Sequence, residues 1–287
     1  MKVGAVFPQT ETSGDPGAIR EYVEAVEAFG YAHLVFYDHV LGASLDRPGG
    51  WRGPYTDKDP FHEILVTLGY LAGITTRLEL ATGILILPQR QTALVAKQAA
   101  EVDLLSGERL RLGVGLGWNR VEYEALGEDF SNRGQRIEEQ VEVMRRLWTE
   151  PSIDFKGRFH TISKAGLNPL PRRQIPVWMG GTALPAKRRI ARMADGWMMN
   201  TPTEKDPKGA LSQMKELVQE AGRSPKDFGI EVRFSITDGL EQAAQEMSDW
   251  HELGITHATV NTMGAGLEWP RGHVEALRQM TDAYRES

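Results

Sequence analysis

Residues 78–115 read LELATGILILPQRQTALVAKQAAEVDLLSGERLRLGVG, and this stretch sets the architecture of the chain. The run Leu78 to Leu87 has the apolar, β-branched character of a strand; Thr82-Gly83 interrupts it and Pro88 closes it. Leu94, Val95, Val102 and Leu105 then recur near one face of a helix, and Gly107 stands just past its end. Leu110 to Val114 is the next strand. Strand, helix and strand in succession make one parallel βα unit.

The same alternation extends in both directions. Upstream lie a strand at Val3 to Phe7, a helix capped by Asp15 with Pro16 in its first turn and Ile19, Tyr22, Val23 and Val26 on one face, and a strand at His33 to Tyr37. A Gly-, Pro- and Asp-rich loop from Leu41 to Pro60 leads to a helix near Phe61 to Ile74. Downstream, Ile137, Val141, Met144 and Trp148 mark a helix that Pro151 stops, and Ile153 to Ile162 reads as a small hairpin inserted before the fifth strand, Pro176 to Met179. Further strands are expected at Trp197 to Met199, Ile230 to Ile236 and His257 to Val260, each followed by a helix. Eight strand-helix pairs in 287 residues are the count of a closed (β/α)8 TIM barrel, here spanning 1–287 as a single domain.

Composition narrows the function. There are 33 basic and 39 acidic residues, a formal net charge of −6, which argues against nucleic acid as a partner because no basic excess is available to displace phosphate counterions. No cysteine is present, so disulfides, thiolate metal sites and cysteine nucleophiles drop out together. The apolar run at the N-terminus is too short for a signal peptide, and no stretch approaches a membrane span, so a cytoplasmic location and no membrane partner are expected.

In such a barrel chemistry sits just past the strands, at the carboxyl face. Asp38-His39 is the most reactive pair there, since an imidazole exchanges protons near neutral pH and a neighbouring carboxylate can orient it. The other histidines, at 33, 62, 160, 251, 257 and 273, lack metal-ligand spacing and read as structural or surface residues; no metal is expected. Gly113, Gly115 and Gly117 miss the G-x-G-x-x-G fingerprint because Trp118 stands where the third glycine belongs; they admit close approach either by a neighbouring strand or by a flat ligand. Trp118 and Asn119 either face a ligand or pack the loop. Gly180-Gly181-Thr182 lies between a strand and a helix and reads either as a tight βα turn that any barrel needs or as a phosphate site, whose free N–H groups stand at the positive end of the helix dipole. Gly83-Ile84 marks a bulge or a close approach.

These blocks together resemble the luciferase-like flavin and deazaflavin oxidoreductases. The likeness runs from Thr82-Gly83-Ile84-Leu85-Ile86-Leu87-Pro88 through Lys97-Gln98-Ala99-Ala100 and Leu104-Leu105-Ser106-Gly107 to Gly113-Val114-Gly115, and again through Pro176-Val177-Trp178-Met179-Gly180-Gly181 and Ala194-Asp195-Gly196-Trp197. Asp38-His39 matches the family's second-strand motif. The resemblance implies a non-proline cis peptide at Gly83-Ile84 supporting a tricyclic ring, the cofactor phosphate on Gly180, Gly181 and Thr182, and Asp38 and Asn119 also at the cofactor. It implies His39 as the proton donor or acceptor beside the reacting carbon.

The pattern is closer to the deazaflavin branch, which implies coenzyme F420 and hydride transfer to or from a small organic substrate. Where sugar-phosphate dehydrogenases of the family carry glutamate, this chain has Trp118; with Trp51 and Tyr55 it points to a more apolar or planar substrate. One alternative is an FMN-dependent two-component monooxygenase fed by a separate reductase, and another is a barrel that binds cofactor without turnover. A homodimer is expected by the same resemblance.

Overall fold

Apolar runs of four to seven residues alternate with amphipathic helices, and each strand hands its chain to a helix that packs back over the sheet. The computed structural model describes residues 1–286. Its first half contains β1 (Lys2–Val6), α1 (Pro16–Ala28), β2 (His33–Phe36), α2 (Ile64–Ala72), β3 (Glu79–Thr82), β4 (Leu85–Ile86), α3 (Thr92–Ser106), β5 (Leu110–Gly115), α4 (Arg120–Ala125) and α5 (Arg133–Thr149). The second half contains β6 (Ile153–Lys156), β7 (Thr161–Ala165), β8 (Val177–Gly180), α6 (Leu184–Met193), β9 (Gly196–Met199), α7 (Pro207–Glu220), β10 (Gly229–Ser235), α8 (Leu240–Glu252), β11 (His257–Asn261) and α9 (Arg271–Glu286).

Eight parallel strands close on themselves in the order β3-β2-β1-β11-β10-β9-β8-β5, and the pairing of Leu80 with Leu110 shuts the ring. This is the (β/α)8 barrel. The expected third strand is split: after Thr82 the chain passes through a cis Gly83–Ile84 peptide and resumes as β4, with Leu85 opposite Val114. The antiparallel β6–β7 hairpin stands apart ahead of β8, as anticipated. No helix among the described residues is long and apolar enough to cross a membrane.

Local signals behave as their chemistry requires. Asp15 caps α1 by accepting from the Gly17 N–H, and Gly107 ends α3 with a left-handed φ of 71°. One expectation is corrected in part: Val95 and Val102 of α3 are buried as expected, but Leu94 and Leu105 are exposed, and Ala96, Ala99 and Ala100 complete the buried face. The small alanines let α3 approach its neighbours closely, and Trp148 of α5 fits there, donating its Nε1–H to the Ala96 carbonyl at 2.9 Å.

The lower barrel interior is polar. Arg111 is 2% exposed and donates to Glu79 at 2.6 Å and to Glu231, while its guanidinium lies 4.4 Å from the Trp178 ring centroid. Space for the large groups comes from glycines on nearby strands: a Cβ at Gly4 would fall 2.2 Å from the His33 ring, and one at Gly229 2.1 Å from Trp178. A packed, bonded charge layer of this kind closes the barrel below and leaves the upper end open.

Candidate active site

A cavity of about 460 Å³ opens at the carboxyl end of the strands, within the roughly 300–1,000 Å³ range of small-molecule sites. Gly83 and Ile84 form part of its wall, with Leu116, Trp118 and Met198 nearby. The strand glycines are explained by their neighbours. A Cβ at Gly113 would lie 2.0 Å from the Thr82 carbonyl oxygen, so at that position a neighbouring strand makes the close approach. At Gly115 it would meet the Ile84 side chain at 2.7 Å, and at Gly180 the same side chain at 3.3 Å. These glycines therefore seat Ile84, and Ile84 in turn presents the wall.

One end of this cavity is the β8–α6 corner, where Gly180, Gly181 and Thr182 line it together with Arg133. Gly181 has φ of 153°, and a Cβ on it would lie 2.8 Å from Cβ of Ala186. The α6 N-cap, Ala183, contributes no side-chain capping bond, so N–H groups of the first turn are left to water or a ligand. Arg133 stacks on Phe130, 3.6 Å from its centroid, and its Nε is buried with no partner. An anion fits this end by both dipole and charge.

A smaller, adjoining cavity of about 170 Å³ holds His39. Gly83, Ile84, Gly117, Trp118 and Arg233 line both spaces, so the two share a wall. The His39 ring is boxed by Tyr55 at 5.2 Å, Phe61 at 4.9 Å and Trp118 at 5.5 Å between centroids. Trp51 stacks on Trp118 at 5.7 Å and donates its indole N–H to the Tyr55 carbonyl at 2.7 Å. Trp51 thus backs Trp118.

The carboxylate that orients His39 is Glu122 of α4, which is fully buried and lies 3.0 Å from His39 Nδ1. It also accepts from the backbone N–H groups of Val40 and Leu41. Burial alone would raise its pKa, but the His39 contact and these two N–H donors outweigh that and hold it below the ordinary glutamate value. An ionised carboxylate only accepts, so Nδ1 carries the hydrogen, and whenever the ring is unprotonated at its other nitrogen the free lone pair lies on Nε2.

Two residues expected at the cofactor have side chains bonded within the protein, and Asp38 also lines the smaller cavity. The Asp38 carboxylate is taken up by Arg90, at 2.7 and 3.3 Å, and by the Ile86 N–H at 2.9 Å, so it pins the bulge and does not orient His39. Asn119 is 2% exposed and caps α4, accepting from the N–H groups of Val121 and Glu122. Among the described residues no cluster suits a metal ion.

The profile of the luciferase-like monooxygenases matches residues 1–286. The chain belongs to that family. A similar chain in Mycobacterium tuberculosis, an uncharacterised protein, is 37% identical over 258 residues, covering 85% of this chain and 86% of that one. The pyrimidine monooxygenase RutA of Escherichia coli is 31% identical over 261 residues, covering 86% of this chain and 70% of its own. Among solved structures, an F420-dependent secondary alcohol dehydrogenase in complex with an F420–acetone adduct superposes with a TM-score of 0.79 at 18% identity, covering 99% of both chains. At that identity the likeness is one of fold.

Several residues of this luciferase-like site escape a reading of the sequence. Glu231 and Arg233 carry a signal: they interrupt the apolar run of a parallel strand, where both faces are normally buried and apolar. Glu122 carries none, because a glutamate in a short polar helix is the ordinary surface residue. Arg133 likewise opens a helix rich in arginine and glutamate.

Proposed function

We infer that the chain is an F420-dependent oxidoreductase that moves a hydride between the deazaflavin and a small apolar or planar organic substrate. One observation carries this: the cavity ending at Gly180–Thr182 and the His39 cavity meet across the same Gly83–Ile84 wall. The residues fit such a group, with a polar anion corner holding Arg133 at one end and an apolar wall seated on glycines between. When bound there, F420 supplies a ring carbon that takes or gives hydride.

The chain's own residues do the rest. The first-turn N–H groups of α6 and Arg133 bind the phosphate, and Gly83 and Ile84 support the ring. His39 Nε2 accepts the hydroxyl proton of a substrate undergoing oxidation or returns it in the reverse direction, and buried Glu122 stabilises the imidazolium that results. Trp118, backed by Trp51, and Tyr55 and Phe61 keep water from this nitrogen and offer planar faces to the substrate. Titrating the purified protein with F420 and separately with FMN, followed by tryptophan fluorescence, tests the reading. Saturable F420 binding tighter than FMN is expected.

The similarity to a pyrimidine monooxygenase favours a second reading, an FMN-dependent monooxygenase supplied by a separate reductase. Tight binding of FMN alone in the same titration selects it, and binding of neither compound refutes both. A third role, a cofactor carrier without turnover, predicts no turnover in the wild-type protein; where turnover is found, an unchanged rate in His39→Ala removes His39 from the chemistry.

A further inference from the structure

β10 turns Glu231 and Arg233 into the barrel, where both line the larger cavity. Glu231 is already committed: it is 4% exposed, and Arg111 and the Thr259 hydroxyl both donate to it. Arg233 is not. Among the described residues no ion pair engages it, and its hydrogen bond runs to the Tyr37 phenol at 2.7 Å. A guanidinium carries five N–H donors, so most of its capacity remains for whatever fills the two cavities it lines.

We propose that Arg233 stabilises the negative charge of the reduced redox ring at its carbonyl-bearing edge and so sets the ring's reduction potential; this rests on the reading that the barrel holds F420 or FMN. The tail corner is at Gly180–Thr182, and the polar side chains of Tyr37, Glu231, Arg233 and Thr259 line the same cavity from other strands. Apolar Ile84, Leu116 and Met198 line it as well. F420 and FMN both carry two carbonyls on one edge of the ring, and that edge is matched by setting it against these polar groups. Tyr37 accepts from Arg233 and keeps its own hydrogen to donate there, since burial raises its pKa despite the adjacent cation.

Hydride leaving a substrate C–H brings two electrons and one proton to the ring, while the oxidised substrate passes its second proton to His39, so the ring gains one negative charge. Of these polar side chains, the only counter-charge not already paired within the protein, among the described residues, is Arg233. A cation that meets charge only in the reduced form binds that form selectively, and the selectivity appears as a shift in potential.

The test is anaerobic binding of oxidised and dithionite-reduced F420, with FMN as a parallel arm, to wild-type protein, R233K and R233M. R233M is expected to weaken binding of the reduced form about tenfold more than the oxidised form, lowering the bound two-electron potential by about 30 mV. R233K keeps most of the difference. Equal weakening of both forms, or no change, overturns the proposal. If the wild-type protein binds neither compound, the reading of the cavity fails and the proposal falls with it. Should R233M not fold by far-UV circular dichroism, R233Q, which can still donate to Tyr37, takes its place.

Discussion

Replacing Glu122 with glutamine changes one atom's chemistry at nearly constant volume, and the effect on His39 can be worked out from the geometry. The carboxylate faces three donors: His39 Nδ1 at 3.0 Å and the N–H groups of Val40 and Leu41. In Glu122→Gln the amide oxygen can still serve the two backbone donors, which leaves the NH2 group against His39. Nδ1 must then accept, and the ring hydrogen moves to Nε2, the nitrogen assigned to proton transfer. Loss of a charge-assisted bond in a buried setting costs about 1.5–3 kcal/mol, and the same loss in a transition state lowers the rate roughly 10- to 150-fold. The assay needs no substrate: long-range 1H–15N correlation spectra in mildly alkaline solution report which imidazole nitrogen is protonated. Wild-type His39 is expected to carry hydrogen on Nδ1 and the variant on Nε2, with chemical denaturation giving the stability loss. Protonated Nε2 in the wild-type protein, or an unchanged tautomer in the variant, is incompatible with the role given to Glu122.

Gly181→Ala places a methyl 2.8 Å from Ala186 in a backbone conformation that disfavours side chains, and it should cut cofactor affinity at least about tenfold with the fold retained by circular dichroism. Trp51→Ala removes the ring stacked on Trp118 and should cost about 0.5–1.5 kcal/mol beyond lost area, with altered tryptophan fluorescence. His257 is pushed down to about 3 by burial and then by the charges of Arg111 and His33, so the folded chain keeps it neutral while the unfolded chain protonates it below about 6.5. The unfolded state binds more protons in that window, so stability falls as pH drops from about 6.5 toward 3, by on the order of 5 kcal/mol from this group. Urea unfolding across that range should be flatter for His257→Asn; an equal slope would contradict the assignment.

The barrel was legible because its signals are distributed: each apolar run and each helical face repeats the same statement, and errors such as Leu94 and Leu105 shift a face without changing the topology. The interruption at Thr82-Gly83 was legible for a related reason, since glycine inside a strand needs a cause, and the split strand supplies it. Pairings between distant segments were not legible. Asp38 meets Arg90 and His39 meets Glu122 only because the barrel brings separate strand ends together, and neither partner differs locally from a surface residue. Arg233 lies between these cases, visible as a charge inside a buried strand but without a partner to explain it until the cavity was seen.

A crystal structure of the protein grown with F420 is the sharpest test of the cofactor assignment. The ring should lie against Gly83–Ile84, its phosphate on the N–H groups of the 180–182 turn, with His39 Nε2 facing the reacting carbon. A cofactor bound elsewhere, or a phosphate held away from that turn, would contradict it.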